Sequence, residues 1–165
     1  MIAYLAERTV RKSPNILKAI GKIVPKPIQS RFVLHQLNYL AKEFIENGEL
    51  DFLTNKTAKF EITDADLSWQ FGFNQHALIE RPKDSPPDVV FSANTHALIL
   101  MASKKVDPDT LFFNRDLSIG GDTELGLEIK NLIDLFDIDQ LPPPLKFALD
   151  KWSEKLLASK NRDIA

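Results

Sequence analysis

The stretch FSANTHALILMASKKVDPDTLFFNRDLSIGGDTELGLEIKNLI, residues 91–133, decides the fold. It opens on the end of a short apolar run, Val89-Val90-Phe91, whose length and β-branched residues mark a strand. Asn94 or Thr95 then offers an N-cap for a helix through about Lys104. Asp107-Pro108-Asp109 starts a short helical turn holding Leu111, Phe112 and Phe113, since proline fits the first helical position behind a capping aspartate. A further strand runs from Leu117 to Ile119. Gly120-Gly121-Asp122 breaks it, and Asp122 caps a long helix with Leu125, Ile129, Leu132, Ile133 and Phe136 on one stripe.

Upstream, the period changes from helical to two. In 58–63, Ala58, Phe60 and Ile62 alternate with Lys59, Glu61 and Thr63, and in 67–73 Leu67, Trp69, Phe71 and Phe73 alternate with Ser68, Gln70 and Gly72. Such alternation marks strands with one buried face. Residues 77–81 are a weaker third. Asp64-Ala65-Asp66 and Asn74-Gln75-His76 connect them tightly, so an antiparallel meander is expected. A turn-rich linker at 82–87 separates it from Val89. Before the meander, Ile28, Phe32, Leu37, Leu40, Phe44 and Ile45 predict a helix over 28–47, stopped by Asn47-Gly48.

Earlier still lies a basic arm. Residues 1–31 carry seven basic side chains and one acid, a net of +6, against −8 for the other 134 residues. Ser13-Pro14 predicts a helix start, with Ile16, Ile20, Ile23 and Val24 on one side and Leu17 at its edge. Lys18 and Lys22 form a basic row that Lys26 continues, and Pro25 and Pro27 act as brakes. A short basic amphipathic helix suits an anionic membrane surface or a partner; docking on its own domain is the other reading, and the two are compatible. At the far end, Pro142-Pro143-Pro144 opens a last helix with Leu145, Leu149, Trp152 and Leu156 facing inward. The order of elements predicts an α+β fold, about five strands with the helices gathered on one face.

Composition excludes more than it assigns. The chain has no cysteine, hence no disulfide framework, thiol nucleophile or cysteine-based metal site. No apolar run approaches a membrane span, and no signal-like leader is seen, so a cytoplasmic protein is expected. The acidic body argues against nucleic acid as a partner. His35, His76 and His96 fall in three unrelated elements, and no nucleophile elbow or paired metal-ligand spacing is present. Asp64/Asp66 and Asp107/Asp109 read as turn or capping residues, and Gly120-Gly121-Asp122 lacks the spacing of a phosphate loop. What remains is a surplus of aromatics, eleven phenylalanines and two tryptophans. Each alone reads as core; together they fit an apolar cavity between sheet and helices.

The set of motifs in 91–133 resembles the sterol-carrier-protein-2 lipid-binding domain. DPDTLFF (107–113), GDTELGL (121–127) and KNL (130–132) with Asp134, together with LSW (67–69) and GELDFL (48–53), are most similar to its bacterial branch that assists ubiquinone biosynthesis, the UbiT family. The resemblance implies a five-stranded sheet covered by helices on one face and enclosing an apolar tunnel. It divides the chain into a basic amphipathic arm (1–29), the lipid-binding domain (30–158) and a polar tail (159–165). It implies a non-enzymatic carrier with no catalytic residues, metal or cofactor. The implied cargo is an isoprenoid quinone intermediate, presented to hydroxylases of the oxygen-independent, anaerobic pathway, with transient contact at the inner membrane through the arm. A general fatty acyl or phospholipid carrier and a scaffold module are the alternatives.

Alternation and helical stripes then name the expected lining of the tunnel. It comprises Trp69, Phe71, Phe91, Leu98, Met101 and Phe112, continued by Leu117, Ile119, Leu125 and Ile129. Leu149 and Trp152 of the last helix should close it as a lid, since a helix docked by one stripe at a chain end belongs to the least stable part of a fold.

Overall fold

In a computed structural model, residues 13–163 are described, and among them period-two alternation becomes a one-sided sheet. Strands β1 (Ala58–Ile62), β2 (Leu67–Phe73), β3 (Leu78–Glu80), β4 (Val89–Ala93) and β5 (Leu117–Gly121) lie in the order β3-β2-β1-β4-β5. The meander β1-β2-β3 is antiparallel as expected, but β4 pairs parallel to β1 and β5 antiparallel to β4, so the sheet is mixed. In register, Phe60 stands beside Trp69 on one side and Phe91 on the other, with Ile119 beyond. All four share the apolar face. The Phe60 and Phe91 rings stack at 4.9 Å and 8°, and Phe60 also meets Phe71 at 5.9 Å. The opposite face is polar: Lys59 Nζ lies 2.5 Å from Glu61 Oε1 and Ser92 Oγ donates to Glu61 Oε2. The Lys59 hydrogen bond holds the Glu61 carboxyl below its ordinary value, against the opposing effect of burial.

Seven α-helices are present among the described residues: α1 (Ser13–Ile23), α2 (Lys26–Leu40), α3 (Lys42–Glu46), α4 (Thr95–Ala102), α5 (Pro108–Phe113), α6 (Thr123–Leu135) and α7 (Pro143–Asp163). The capping residues behave as their chemistry dictates. Asn94, Asp107 and Asp122 accept hydrogen bonds from the amides of Ala97, Thr110 and Leu125, closing the first turns of α4, α5 and α6. The Asp107 carboxyl sits below its ordinary value because the Thr110 amide and hydroxyl both donate to it. α6 covers β4 and β5, where Gly126 leaves room for the Ile119 side chain that a Cβ would strike. Lys104 Nζ reaches the Ile133 carbonyl at 3.0 Å and the Asp134 carbonyl, closing the C-terminal end of α6.

Several expectations need correction. The helix over 28–47 is two helices, broken at Ala41, which is fully buried. No proline or glycine marks that break; it comes from packing. Only Leu37, Leu40, Phe44 and Ile45 of its apolar set pack on the core, while Ile28 and Phe32 are exposed. The inward positions of the first half are instead Gln29 and Ser30: Gln29 Nε2 donates to the Gly21 and Val24 carbonyls while its Oε1 is left unpaired, and Ser30 Oγ donates to Glu80 Oε1. Gly120 and Gly121 lie within β5 and do not interrupt it. Gly121 takes φ +86° against β4, where a Cβ would meet the Asp88 carbonyl. The last helix runs to Asp163.

α4 is apolar nearly all round and is the hub of the helical layer. Ala97 and Met101 face the main core, Ile99 and Leu100 meet Trp152 and Leu156 of α7, and Leu98 joins Leu17, Ile62 and Trp69. Its first residue, Thr95, is fully buried and is held by Asp64 from the β1–β2 turn, whose Oδ1 accepts from the Thr95 amide at 2.8 Å and hydroxyl at 2.7 Å. Replacing that carboxylate strands two buried donors. Asp64→Ala is expected to destabilise the fold by about 2 kcal/mol in urea unfolding, with an unchanged m-value.

Candidate functional site

The space between sheet and helices is where a carrier's cargo was expected, and most of the residues named for it meet there. Phe91, Leu117, Leu125 and Ile129 are buried in one core cluster, with Met101 and Ile119 packed against it. Phe71 is also buried, on β2. Trp69 and Leu98 belong to a second cluster with Ile62, Ala65, Leu67 and Leu17 of α1. Trp152 belongs to a third, against α4, and Leu149 is half-buried on the same helix. Phe112 stands apart: it is 37% exposed at the end of α5, its ring edge-on to the more exposed Phe113. α7 therefore rests mainly on α4, outside the layer that covers the sheet.

The first two helices place their apolar residues in an unexpected direction. α1 docks through Leu17 and Gly21, where the missing side chain lets the backbone close on Leu67. Its isoleucine stripe faces outward, with Ile20 46% and Ile23 79% exposed. On α2, Ile28, Phe32 and Tyr39 form another exposed stripe, each more than half accessible. Lys18, Lys22, Lys26 and Arg31 are exposed among them. Two adjoining helices thus present large apolar side chains edged by cations, an arrangement soluble surfaces rarely carry.

Beneath this face, α2 and β3 form a groove of about 870 Å³, bounded by Pro27, Ile28, Leu34 and His35 on the helix and Leu78, Ile79 and Glu80 on the strand. Asn38 spans its floor, exchanging two hydrogen bonds with the Leu78 backbone at 2.7 and 2.9 Å. Next to it lies a smaller cavity of about 120 Å³, lined by Lys26, Ser30, Ser68, Trp69, Gln70, Glu80, Arg81 and Lys83. Of these residues the sequence names Trp69 for the cargo and Lys26 only as the end of the arm's basic row. Gln70, Glu80 and Arg81 gave no signal, because alternation marked them merely as polar positions at the edge of a meander. Among the described residues, no three histidine or carboxylate side chains gather as a metal ion would require. No described helix is long and apolar enough to cross a membrane.

This architecture has known counterparts. Residues 34–134 match the model of the SCP-2 sterol transfer family. The chain belongs to that family. It is 35% identical, over 149 residues, to the "Ubiquinone biosynthesis accessory factor UbiT" of Escherichia coli K12, covering 90% of this chain and 85% of that one. The same name and the same identity hold for the protein of Escherichia coli O157:H7. Among solved structures, "UbiJ-SCP2 Ubiquinone synthesis protein" superposes with a TM-score of 0.56 at 18% identity, covering 67% of this chain and 96% of that chain. At that identity the likeness establishes the shared fold. The family model begins within α2, so α1 and the first turns of α2 lie outside it.

The docking of α1 rests on Gly21 having no side chain. Gly21→Val should push α1 off Leu67. Amide exchange in 14–23 should then rise towards the unprotected rate, while β1 and β2 keep their protection.

Proposed function

We propose that the protein is a non-enzymatic carrier that shields an isoprenoid quinone intermediate and presents it to ring-modifying hydroxylases of oxygen-independent ubiquinone biosynthesis. The observation that carries this is the outward apolar face of α1 and α2, edged with cations, on a chain from a sterol transfer family. The similarity to accessory factors named for ubiquinone biosynthesis supports the choice of cargo.

Physical chemistry explains why such a carrier is useful. Burying one CH₂ is worth about 0.8 kcal/mol, so each isoprene unit holds a tail in the bilayer by roughly 3–4 kcal/mol. A soluble enzyme meets such a substrate only if another protein encloses the tail. The outward isoleucines and Phe32 insert at the interface, while Lys18, Lys22, Lys26 and Arg31 add at best about 1 kcal/mol each near anionic lipid. That hold is weak, screened by salt and reversible. It suits loading and release at the inner face of a membrane.

In this reading the tail enters the layer between sheet and helices, past Trp69, Phe71, Phe91, Leu98, Met101, Leu117, Ile119, Leu125 and Ile129, and Phe112 guards one end. The Phe60 and Phe91 rings stack within this layer at 4.9 Å. Opening requires the outer elements to part. α7 is the element with least to lose, since its contacts fall on α4 and not on the sheet.

Two measurements test the proposal. Lipid extracted from the purified protein should contain polyprenylated ring compounds by mass spectrometry. Phospholipid alone would make the protein a general carrier, and no lipid with intact partner binding would make it a scaffold. In the same framework, the protein should float with vesicles containing phosphatidylglycerol, and Ile20→Ser with Ile23→Ser should weaken flotation at least tenfold without lowering the melting temperature. For the lid, loading with lipid should slow amide exchange across 145–156. Equal protection with and without lipid would make α7 a fixed part of the core.

A further inference from the structure

The segment 107–116, which holds α5, is bonded to itself and to little else. Asp107 caps it by accepting from the Thr110 amide and hydroxyl. The Leu111 amide donates to the Asp107 carbonyl, and the amides of Asn114, Arg115 and Asp116 donate to the carbonyls of Thr110, Phe112 and Leu111. Its neighbours are anchored elsewhere: the Val106 amide donates to the Leu100 carbonyl of α4, and Leu117 pairs with Ala93 in the sheet. Among the described residues, no backbone hydrogen bond crosses from 107–116 to the rest of the fold. One side-chain bond does, from Lys130 Nζ of α6 to Asp109 Oδ1. The apolar anchor of the segment is Leu111, buried in the core cluster with Phe91, Leu117, Leu125 and Ile129. Phe112 and Phe113 are exposed and meet each other edge-on. Arg115, where the segment bends into β5, holds a left-handed backbone (φ +63°) without being glycine, a conformation that persists only while its surroundings impose it.

We propose that α5 is a delivery portal for the cargo and that the Lys130–Asp109 pair is its latch; the inference rests on the carrier reading above. When the pair separates, 107–116 swings outward as a unit and Leu111 withdraws from the core. The end of the apolar layer guarded by Phe112 then opens beside β5 and α4, the two elements on which α5 packs. That motion breaks no backbone hydrogen bond to the rest of the fold, which sets the segment at the low-stability end of the structure. The latch is also asymmetric. Lys130 is buried, but the Asp109 side chain is 62% exposed, so water competes for the carboxylate.

Topology separates this opening from the loading surface. In the order β3-β2-β1-β4-β5, α2 packs on β3 at one edge of the sheet and α5 on β5 at the other. A carrier held to a bilayer through its first two helices therefore has its portal, with the exposed Phe112 and Phe113 rings, at the opposite edge of the sheet.

The chain has no cysteine, so two introduced thiols can be tethered without competition. Asp109→Cys and Lys130→Cys are joined in the full chain by a bismaleimide with a reducible disulfide in its linker, and the protein is loaded with NBD-labelled farnesol. The tethered protein should pass this probe to phosphatidylcholine vesicles about tenfold more slowly than the wild type, and reducing the linker should restore the wild-type rate or exceed it. Lys130→Met fills the same buried space and leaves Asp109 in water. It should speed transfer about fivefold and raise amide exchange across 110–114, with exchange in α7 unchanged. Transfer at the wild-type rate by the tethered chain, or a slow rate that survives reduction, shows that cargo leaves elsewhere; the portal is then wrong and the carrier reading stands. If the wild type does not bind the probe, the carrier reading falls and this proposal with it. Should Lys130→Met fail to fold, the tether still decides.

Discussion

A sheet with one apolar face has to be covered, and in this protein all the cover comes from one side. Phe60, Trp69, Phe91 and Ile119 stand side by side across four strands, while Lys59, Glu61 and Ser92 occupy the other face. Three helices are placed by that asymmetry. α6 closes over β4 and β5, and α2 is clamped to β3 by Asn38. α4 fills the space between, tied at its start to the β1–β2 turn by Asp64. Because the cover is single, any parting of helices from sheet opens onto apolar surface, which is the property a lipid carrier uses.

The ends of the chain carry a different logic. Gln29 bonds the end of α1 and Ser30 bonds Glu80 of β3, while Ile20, Ile23, Ile28 and Phe32 of the two helices are turned outward. This inverts the usual arrangement, in which the apolar stripe docks and the polar side is wet. The inversion leaves an apolar, cation-edged surface directly above the groove. The proposed reading places attraction to an anionic lipid surface in that corner of the fold. At the opposite end, α7 leans on α4 through Trp152 and Leu156 and leaves Phe147 exposed.

Much of this was legible from residues alone, for local reasons. A side-chain period of two at 58–63 and 67–73, proline behind a capping aspartate at 107–108, and an aspartate opening the helix at 122 each report a backbone state that depends on near neighbours. Strands, helices, caps and the side of the sheet that would be buried are decided at that range. So is the family, because its motifs sit in those same local features. What only the tertiary structure decided depends on distant partners. The parallel pairing of β1 with β4, the break at Ala41, and the outward turn of Ile20, Ile23, Ile28 and Phe32 all follow from what each segment meets across the fold. The unpaired buried atoms of Gln29, Trp69, Gln70 and Arg81 are of the same kind. A polar residue at an alternating position looks solvent-facing in a sequence, and only its surroundings show whether water, a protein group or neither is there to meet it.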